Sequence, residues 1–352
     1  MQKKISIIIC GYNAEEYIDR CMRSVENQTI GMKNLEVVLV DDASTDGTLE
    51  KFKQWEKKYP EDIIVITYEK NKRLGGARNI GLQYSTGEYI GYVDCDDWIE
   101  PAMYEKMYEK AVKFQCDVVR CKYSRDVEEN IQGEKVQKGQ DQWYDCTDFA
   151  DSYLFWQQDM DVGVNGLYGS CWSGIYKKSV LTENNVYFPE NLYYEDNFWS
   201  QLLALYISKL YIVDEILYHY YVNDDSITMR RNDIRHLERL QVELLLLEEL
   251  KSRGIYKKYY DIVERNFIIT FYLNTMHIIF TRFDSMPDIF PQMKEIILKE
   301  FPGYKENPYY QEYLTATGKV LMKLLDSSHT WNCDELNEFG KKYVEIMNGK
   351  NV

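Results

Sequence analysis

The first hundred residues alternate short apolar runs with segments in which apolar residues recur at helical spacing. The apolar runs occupy residues 5–9, 35–40, 63–66 and 89–93, and the intervening segments repeat apolar side chains every three or four positions. Short, near-continuous apolar runs are typical of strands that are buried on both faces of a parallel sheet. The pattern therefore predicts a doubly wound α/β domain, with a Rossmann-like, mostly parallel sheet and helices on both faces.

Some element boundaries in this domain depend on a few residues. Asn13, with Glu16 three positions later, has the spacing of a capping box and predicts a helix start directly after the first strand. The third helix is predicted over 77–84, directly after Gly75-Gly76. Two separate strands are predicted within 210–222.

The pattern changes to long helical periodicity from about residue 230 onward. We predict an α/β domain over 1–228, with halves at 1–100 and 101–228, followed by a helical C-terminal region at 229–352. The longest apolar stretch, Phe267–Phe280, is shorter than the roughly 20 residues needed to cross a bilayer, so it predicts a buried helix.

Composition narrows the possible functions. The chain has 352 residues, 45% of them hydrophobic, and a net charge of −15. Nucleic-acid binding requires a basic face, so this charge argues against it. The eight cysteines show no C-x-x-C spacing, which predicts reduced core thiols rather than a zinc site. The N-terminus lacks the pattern of a signal peptide, and we expect a cytoplasmic protein.

Charged residues follow three of the predicted strands. Asp41 ends the second strand, Lys72-Arg73 follows the third, and Asp94-Cys95-Asp96 follows the fourth. An isolated D-x-D in a chain with 57 acidic residues is more often a turn with solvated acids. However, the carboxyl ends of parallel strands share one edge of the sheet, where ligands bind. This convergence favours a site for a divalent cation and a nucleotide.

Several motifs occur in an order that resembles the family-2 glycosyltransferases, which have the GT-A fold. The resemblance is close over about the first hundred residues and looser to about residue 228. It implies that 1–228 is a catalytic domain, with a nucleotide-sugar half at 1–100 and an acceptor half at 101–228. It is carried by Gly11-Tyr12-Asn13, Val40-Asp41-Asp42-Ala43-Ser44, Gly76-Ala77-Arg78-Asn79, Asp94-Cys95-Asp96-Asp97, Trp172-Ser173-Gly174 and Tyr194-Glu195-Asp196-Asn197.

The resemblance implies an inverting transfer of a sugar from a nucleotide-sugar donor, commonly a UDP-sugar, to a hydroxyl of a glycan or lipid-linked acceptor. The products would be surface polysaccharides or glycoconjugates, and the cofactor would be Mn²⁺ or Mg²⁺. By analogy, Asp96 binds the metal and Asp94 faces the ribose or the donor sugar. Asp41, Cys10 and Tyr12 would then contact the nucleoside.

The resemblance also assigns roles outside the metal site. Asp196 would be the catalytic base, and Glu195 would orient the acceptor, although both acids could simply favour the start of a helix. Trp172 would bind a sugar ring or pack in the core. Arg73 and Arg78 would meet the uracil or the diphosphate, with a structural ion pair between Arg78 and an acid of the D-x-D as the alternative for Arg78.

The chain departs from the family at the diphosphate. Where relatives carry a basic residue before the Ser-Ile-Thr segment, this chain has 223–225, Asn-Asp-Asp, and we expect Arg230 or Arg231 to take that role. Two other functions stay open, a non-catalytic scaffold subunit and a sugar-phosphate nucleotidyltransferase. The C-terminal helices could contact a membrane or a second copy of the chain.

Overall fold

The computed structural model describes residues 2–126, 141–147, 170–222, 230–310 and 315–349. The chain divides into two units, Met1–Asn223 and Asp224–Val352. The predicted boundary at 228/229 falls within residues 223–229, outside the described residues.

The first unit is built on one mixed sheet. Its strand order is β3-β2-β1-β4-β8-β6-β9-β5, with β7 also paired to β9. Strands β1 to β4 are mutually parallel and β9 is parallel to β6, whereas β8, β5 and β7 pair antiparallel to their neighbours. In the described residues the strands are β1 (Ile5–Gly11), β2 (Leu35–Asp41), β3 (Ile63–Thr67), β4 (Tyr89–Asp94), β5 (Trp98–Ile99), β6 (Val118–Asp126), β7 (Gln142–Asp145), β8 (Gly174–Lys177) and β9 (Lys209–Tyr221).

Helices connect these strands. Every residue of β1 and β2 is buried, as expected for strands covered on both faces. The first helix buries Ile18, Cys21, Met22 and Val25, one apolar stripe at helical spacing. The described helices of this unit are α1 (Ile18–Glu26), α2 (Thr48–Lys58), α3 (Arg73–Tyr84), α4 (Met103–Phe114), α5 (Lys178–Glu183) and α6 (Glu195–Leu203). The predicted doubly wound α/β fold is confirmed.

Three predicted boundaries in this unit are wrong. Helix α1 begins at Ile18 after Tyr17, which makes no side-chain cap, because the Asn13 carboxamide accepts a 2.8 Å hydrogen bond from the Thr45 amide instead. Helix α3 begins at Arg73 and includes both glycines that were expected to precede it. The two strands predicted within 210–222 are one strand, β9, whose pairing with β6 shifts register near Cys121/Lys122.

The second unit is helical where it is described. The longest predicted apolar helix is present as two helices joined by a π-helical turn at Ile268–Leu273. The final helix starts with a capping box between Asn332 and Glu335. The helices are α7 (Glu238–Ser252), α8 (Ile255–Lys258), α9 (Tyr260–Phe267), α10 (Asn274–Arg282), α11 (Phe290–Glu300), α12 (Ala316–Asp326) and α13 (Cys333–Met347). Among the described helices, none combines the length and apolarity that a bilayer span requires.

Candidate active site

Residues at the carboxyl ends of β1, β2 and β4 lie side by side because the parallel register aligns these ends. Cys10 is opposite Asp94 across β1 and β4, and Gly11 is opposite Asp41 across β1 and β2. Cys10 is 7% exposed, and burial raises the pKa of its thiol. Tyr12 directly follows β1 and is 53% exposed. The sheet therefore brings together four of the predicted nucleotide-binding residues.

A buried arginine connects the D-x-D to the start of α6. Arg78, in α3, donates through Nη2 to Asp94 Oδ1 and through Nη1 to Glu195 Oε1, each over 2.8 Å. The side chains of Arg78 and Glu195 are 4% and 7% exposed, whereas that of Asp94 is 23% exposed. The ion pair that the sequence left as an alternative for Arg78 is thus present.

Glu195 and Asp196 form the first turn of α6. The preceding residue, Tyr194, has a left-handed backbone with φ of +66°. Burial, followed by the negative charge of Glu195, raises the pKa of Asp196 to about 8. Burial also raises the pKa of Glu195, against the opposing effect of Arg78. Two neighbouring carboxyl groups with raised pKa values in a partly buried setting are typical of functional sites.

The second acid of the D-x-D lies in a negative environment. Burial, followed by the charge of Asp94, raises the pKa of Asp96 to about 6. The Asp96 backbone carbonyl accepts a hydrogen bond from Arg20 Nη2. The Arg20 guanidinium lies 4.4 Å from the ring centroids of both Trp98 and Tyr221. Arg20 therefore fixes the backbone of the D-x-D turn.

Tyr218 and Asp97 support the same turn, and the sequence did not predict either. The Tyr218 hydroxyl donates to Asp97 Oδ2 and accepts a 3.2 Å hydrogen bond from the Asp94 amide. The Tyr221 amide donates to Asp97 Oδ1 over 2.8 Å. Asp97 is fully buried, and burial together with the charges of Asp96 and Asp94 raises its pKa well above the usual value. The position of Asp97 directly after the D-x-D could have marked it as a candidate. Its partner Tyr218, in β9, has no local sequence signature.

Trp172, the predicted acceptor platform, belongs to an aromatic cluster. Its ring stacks on Tyr218 with a centroid distance of 4.8 Å and packs edge-on against Tyr123 at 4.7 Å. The side chain is half-buried. These contacts are explained by the alternative interpretation, in which Trp172 packs in the core. Trp172 also contacts Tyr218, the residue that supports the D-x-D turn.

Asp41 and one further predicted nucleotide-binding residue, Arg73, are held by neighbours. Asp41 Oδ2 accepts a 3.0 Å hydrogen bond from Thr67 Oγ1, and its Oδ1 accepts from the Ser44 amide over 3.3 Å. Arg73 lies at the start of α3, with its guanidinium 4.5 Å from the Tyr193 ring centroid. Both residues lie at the carboxyl edge of the sheet.

Residues other than glycine with a positive φ recur in the loops around this edge. Such conformations cost about 1–3 kcal/mol each and are common at functional sites. In these loops they are Asn13, Ala43, Ser173, Asn191 and Tyr194, and Arg73 has the same conformation at the start of α3. Their recurrence at one edge of the sheet is independent support for a functional site there.

The basic residues expected at the diphosphate lie in the second unit. Arg231 pairs with Asp284 over 2.9 Å, and both side chains are largely exposed. The Asn-Asp-Asp segment at 223–225 lies outside the described residues.

Comparison with known proteins agrees with this fold. Residues 6–169 match the family model described as glycosyl transferase family 2. EpsH of Bacillus subtilis (strain 168), whose name marks it as a candidate glycosyltransferase, is 30% identical over 234 residues, covering 64% of this chain and 63% of EpsH. The cholesterol galactosyltransferase of Borreliella burgdorferi is 26% identical over 322 residues, covering 90% of this chain and 88% of that protein.

A solved structure extends the likeness over nearly the whole chain. The crystal structure of S. aureus TarS 1-349 in complex with UDP-GlcNAc has a TM-score of 0.70 and 20% sequence identity, covering 99% of this chain and 92% of that one. The chain thus has a GT-A fold with a helical C-terminal region. Its residues 6–169 carry a glycosyl transferase family 2 domain. The match spans just under two thirds of the length of EpsH.

Proposed function

We propose that this chain is an inverting glycosyltransferase that moves a sugar from a UDP-sugar to a hydroxyl of a glycan or lipid-linked acceptor. The product would belong to a surface polysaccharide or glycoconjugate. One observation carries the proposal: Arg78 joins Asp94, at the end of β4, to Glu195, which directly precedes Asp196. The UDP-GlcNAc complex of TarS, a structure with the same fold, supports UDP as the donor nucleotide.

The donor would bind along the carboxyl edge of the sheet. Cys10, Tyr12 and Asp41 surround the position proposed for the nucleoside, and Asp94 would face the ribose or the donor sugar. In this proposal Arg78 acts by holding Asp94 and Glu195, because its guanidinium already donates to both carboxylates. Within the first unit, Arg73 remains the candidate for contact with the diphosphate.

The residues around Asp96 fit a divalent cation, Mn²⁺ or Mg²⁺. Burial and the nearby charge of Asp94 raise the pKa of Asp96 to about 6, so a cation beside this carboxylate would relieve an unfavourable negative charge. Among the described residues no group of three or more metal-binding side chains occurs. Mg²⁺ commonly uses one or two carboxylates together with water and substrate phosphates. When bound, the ion would neutralise charge on the diphosphate leaving group.

Asp196 would accept the proton of the attacking hydroxyl. A bond forms between the acceptor oxygen and the anomeric carbon while the bond from that carbon to the diphosphate oxygen breaks, and UDP leaves with the electron pair. Attack from the face opposite the leaving group inverts the anomeric configuration. A base works best when its pKa is close to the working pH, and the pKa of Asp196 is raised to about 8. Glu195 would orient the acceptor.

A donor screen tests this proposal. Purified protein is mixed with Mn²⁺ or Mg²⁺ and UDP-, GDP- or dTDP-sugars, and the thermal midpoint is measured, since a ligand of the native state raises it. We expect a UDP-sugar to give the largest rise. Release of UDP from that donor, with NMR of the product anomer, then follows the reaction. No thermal shift and no release with any donor would contradict the proposal and favour a scaffold subunit.

A further inference from the structure

The side chain of Asn79, in α3, pairs with the backbone of Phe188. Its Nδ2 donates to the Phe188 carbonyl oxygen over 2.8 Å, and its Oδ1 accepts from the Phe188 amide over 2.9 Å. One carboxamide thus satisfies both polar backbone groups of a buried residue, as a neighbouring strand would. Asn79 and Phe188 are 109 positions apart along the chain.

The segment that follows Phe188 lies directly on the first turns of α3. A Cβ atom at Gly75 would lie 2.4 Å from the Pro189 carbonyl oxygen, so this approach requires glycine. The Asn191 amide donates to the Lys72 carbonyl over 3.4 Å. These contacts explain why α3 contains glycine near its start, where glycine otherwise lowers helix stability.

This docked segment leads straight into the proposed base. Residues 184–194 form neither helix nor strand, so backbone pairing within a sheet does not hold them. Glu195 then binds Arg78, which directly precedes Asn79 in α3. The position of Asp196 relative to Asp94 therefore depends on how residues 188–194 dock on α3.

We propose that Asn79 is a positioning residue for sugar transfer, which fixes Glu195 and Asp196 relative to Asp94 by holding Phe188 against α3. The proposal rests on the function proposed above. Asn79 acts through the backbone of Phe188 and touches neither donor nor acceptor. Its loss should reduce the rate of the chemical step and leave donor binding intact, because a small displacement of a catalytic group lowers kcat rather than ground-state affinity.

The test compares Asn79→Ala with a matched control, Asn34→Ala. The Asn34 carboxamide donates to the Ile30 carbonyl over 2.6 Å. Asn34 directly precedes β2, so it lies at the opposite end of that strand from the candidate site. We expect Asn79→Ala to lower kcat by about 100-fold while the KM for the donor stays close to that of the wild type. Asn34→Ala should leave both constants unchanged.

Amide hydrogen exchange gives a readout that does not depend on turnover. In Asn79→Ala the Phe188 amide loses its acceptor, so we expect faster exchange in a peptide covering 186–197. Gly75→Ala disturbs the same docking from the other side, and we expect it to give the same pattern of faster exchange and lower kcat.

Three results would overturn the proposal: an unchanged kcat in Asn79→Ala, unchanged exchange at 186–197, or equal losses of kcat and donor affinity. Failure of the proposed function itself would be distinguishable, because the wild-type protein would then neither bind nor turn over a nucleotide sugar before any substitution is made.

Discussion

Arg78 and Glu195 lie 117 positions apart along the chain, and their buried side chains share a 2.8 Å hydrogen bond. Because Arg78 also binds Asp94, one guanidinium compensates a carboxylate from each half of the proposed site. An arginine can do this because its rigid fork presents several donors at once. The geometry of the donor side and that of the base are therefore linked through a single residue.

Arg78→Met should destabilise the fold strongly. Removing one partner of a buried ion pair leaves uncompensated charge, at a cost of about 3–5 kcal/mol in the free energy of unfolding. Urea denaturation measures this cost. Arg231→Met is the matched control, since Arg231 pairs with Asp284 on an exposed surface and its loss should barely move the midpoint. Equal midpoints in the two variants would contradict the role of Arg78.

Tyr218→Phe should weaken the D-x-D turn. The Tyr218 hydroxyl binds the Asp94 amide and Asp97, so its removal leaves buried polar groups unsatisfied, at a cost of about 1–3 kcal/mol in unfolding free energy. Tyr104→Phe is the control, because Tyr104 is equally buried but its hydroxyl has no hydrogen-bond partner among the described residues. Denaturation curves that show the same loss in both variants would contradict this account.

Asp196→Asn should stabilise the protein in a pH-dependent way. Asp196 has a folded-state pKa raised to about 8, while its unfolded-state pKa is about 4. Between these values the unfolded chain releases a proton that the folded chain retains, so the wild type loses stability as pH rises from about 4 to about 8. Thermal midpoints should therefore coincide near pH 4 and diverge in favour of Asp196→Asn near pH 8. A constant difference across this range would contradict the raised pKa.

Metal binding should depend on Asp96 and on pH. We expect chelation by EDTA to abolish turnover, with recovery on adding Mn²⁺ or Mg²⁺. Protons compete for a carboxylate whose pKa is about 6, so Mn²⁺ affinity, measured by titration calorimetry, should fall below that pH. Asp96→Asn should remove this binding, whereas the same change at Asp62, which precedes β3 at the opposite end of the sheet, should not. Mn²⁺ affinity retained in Asp96→Asn would refute the assignment.

The sequence predicted the parts of the fold that repeat a local period. Strands β1 to β4 and the helices between them follow from apolar runs and amphipathic spacing, and the position of Asp94 at a strand end follows from these. The predicted start of α1 was wrong because the Asn13 side chain binds the Thr45 amide, far along the chain, and does not cap the helix that follows it.

The connections between the two halves of the site could not be predicted from local patterns. Arg78 with Glu195, Asn79 with Phe188, and Tyr218 with Asp97 each join residues more than a hundred positions apart. Such pairs depend on the packing of complete elements, and neither periodicity nor capping signals encode them in a single sequence. A pair of glycines is typical of a helix boundary, but Gly75 lies within α3 because the Pro189 carbonyl approaches it closely.

If Asp196 removes the proton of the acceptor hydroxyl, the Asp196→Asn variant must still bind the donor but must lose transfer. The direct measurement is a single-turnover transfer assay with the donor found in the screen, together with the donor Kd of the same protein. We predict an unchanged Kd and a transfer rate lower by about 100- to 10,000-fold, the range expected for loss of a general base. Transfer at the wild-type rate in Asp196→Asn would show that Asp196 is not the base.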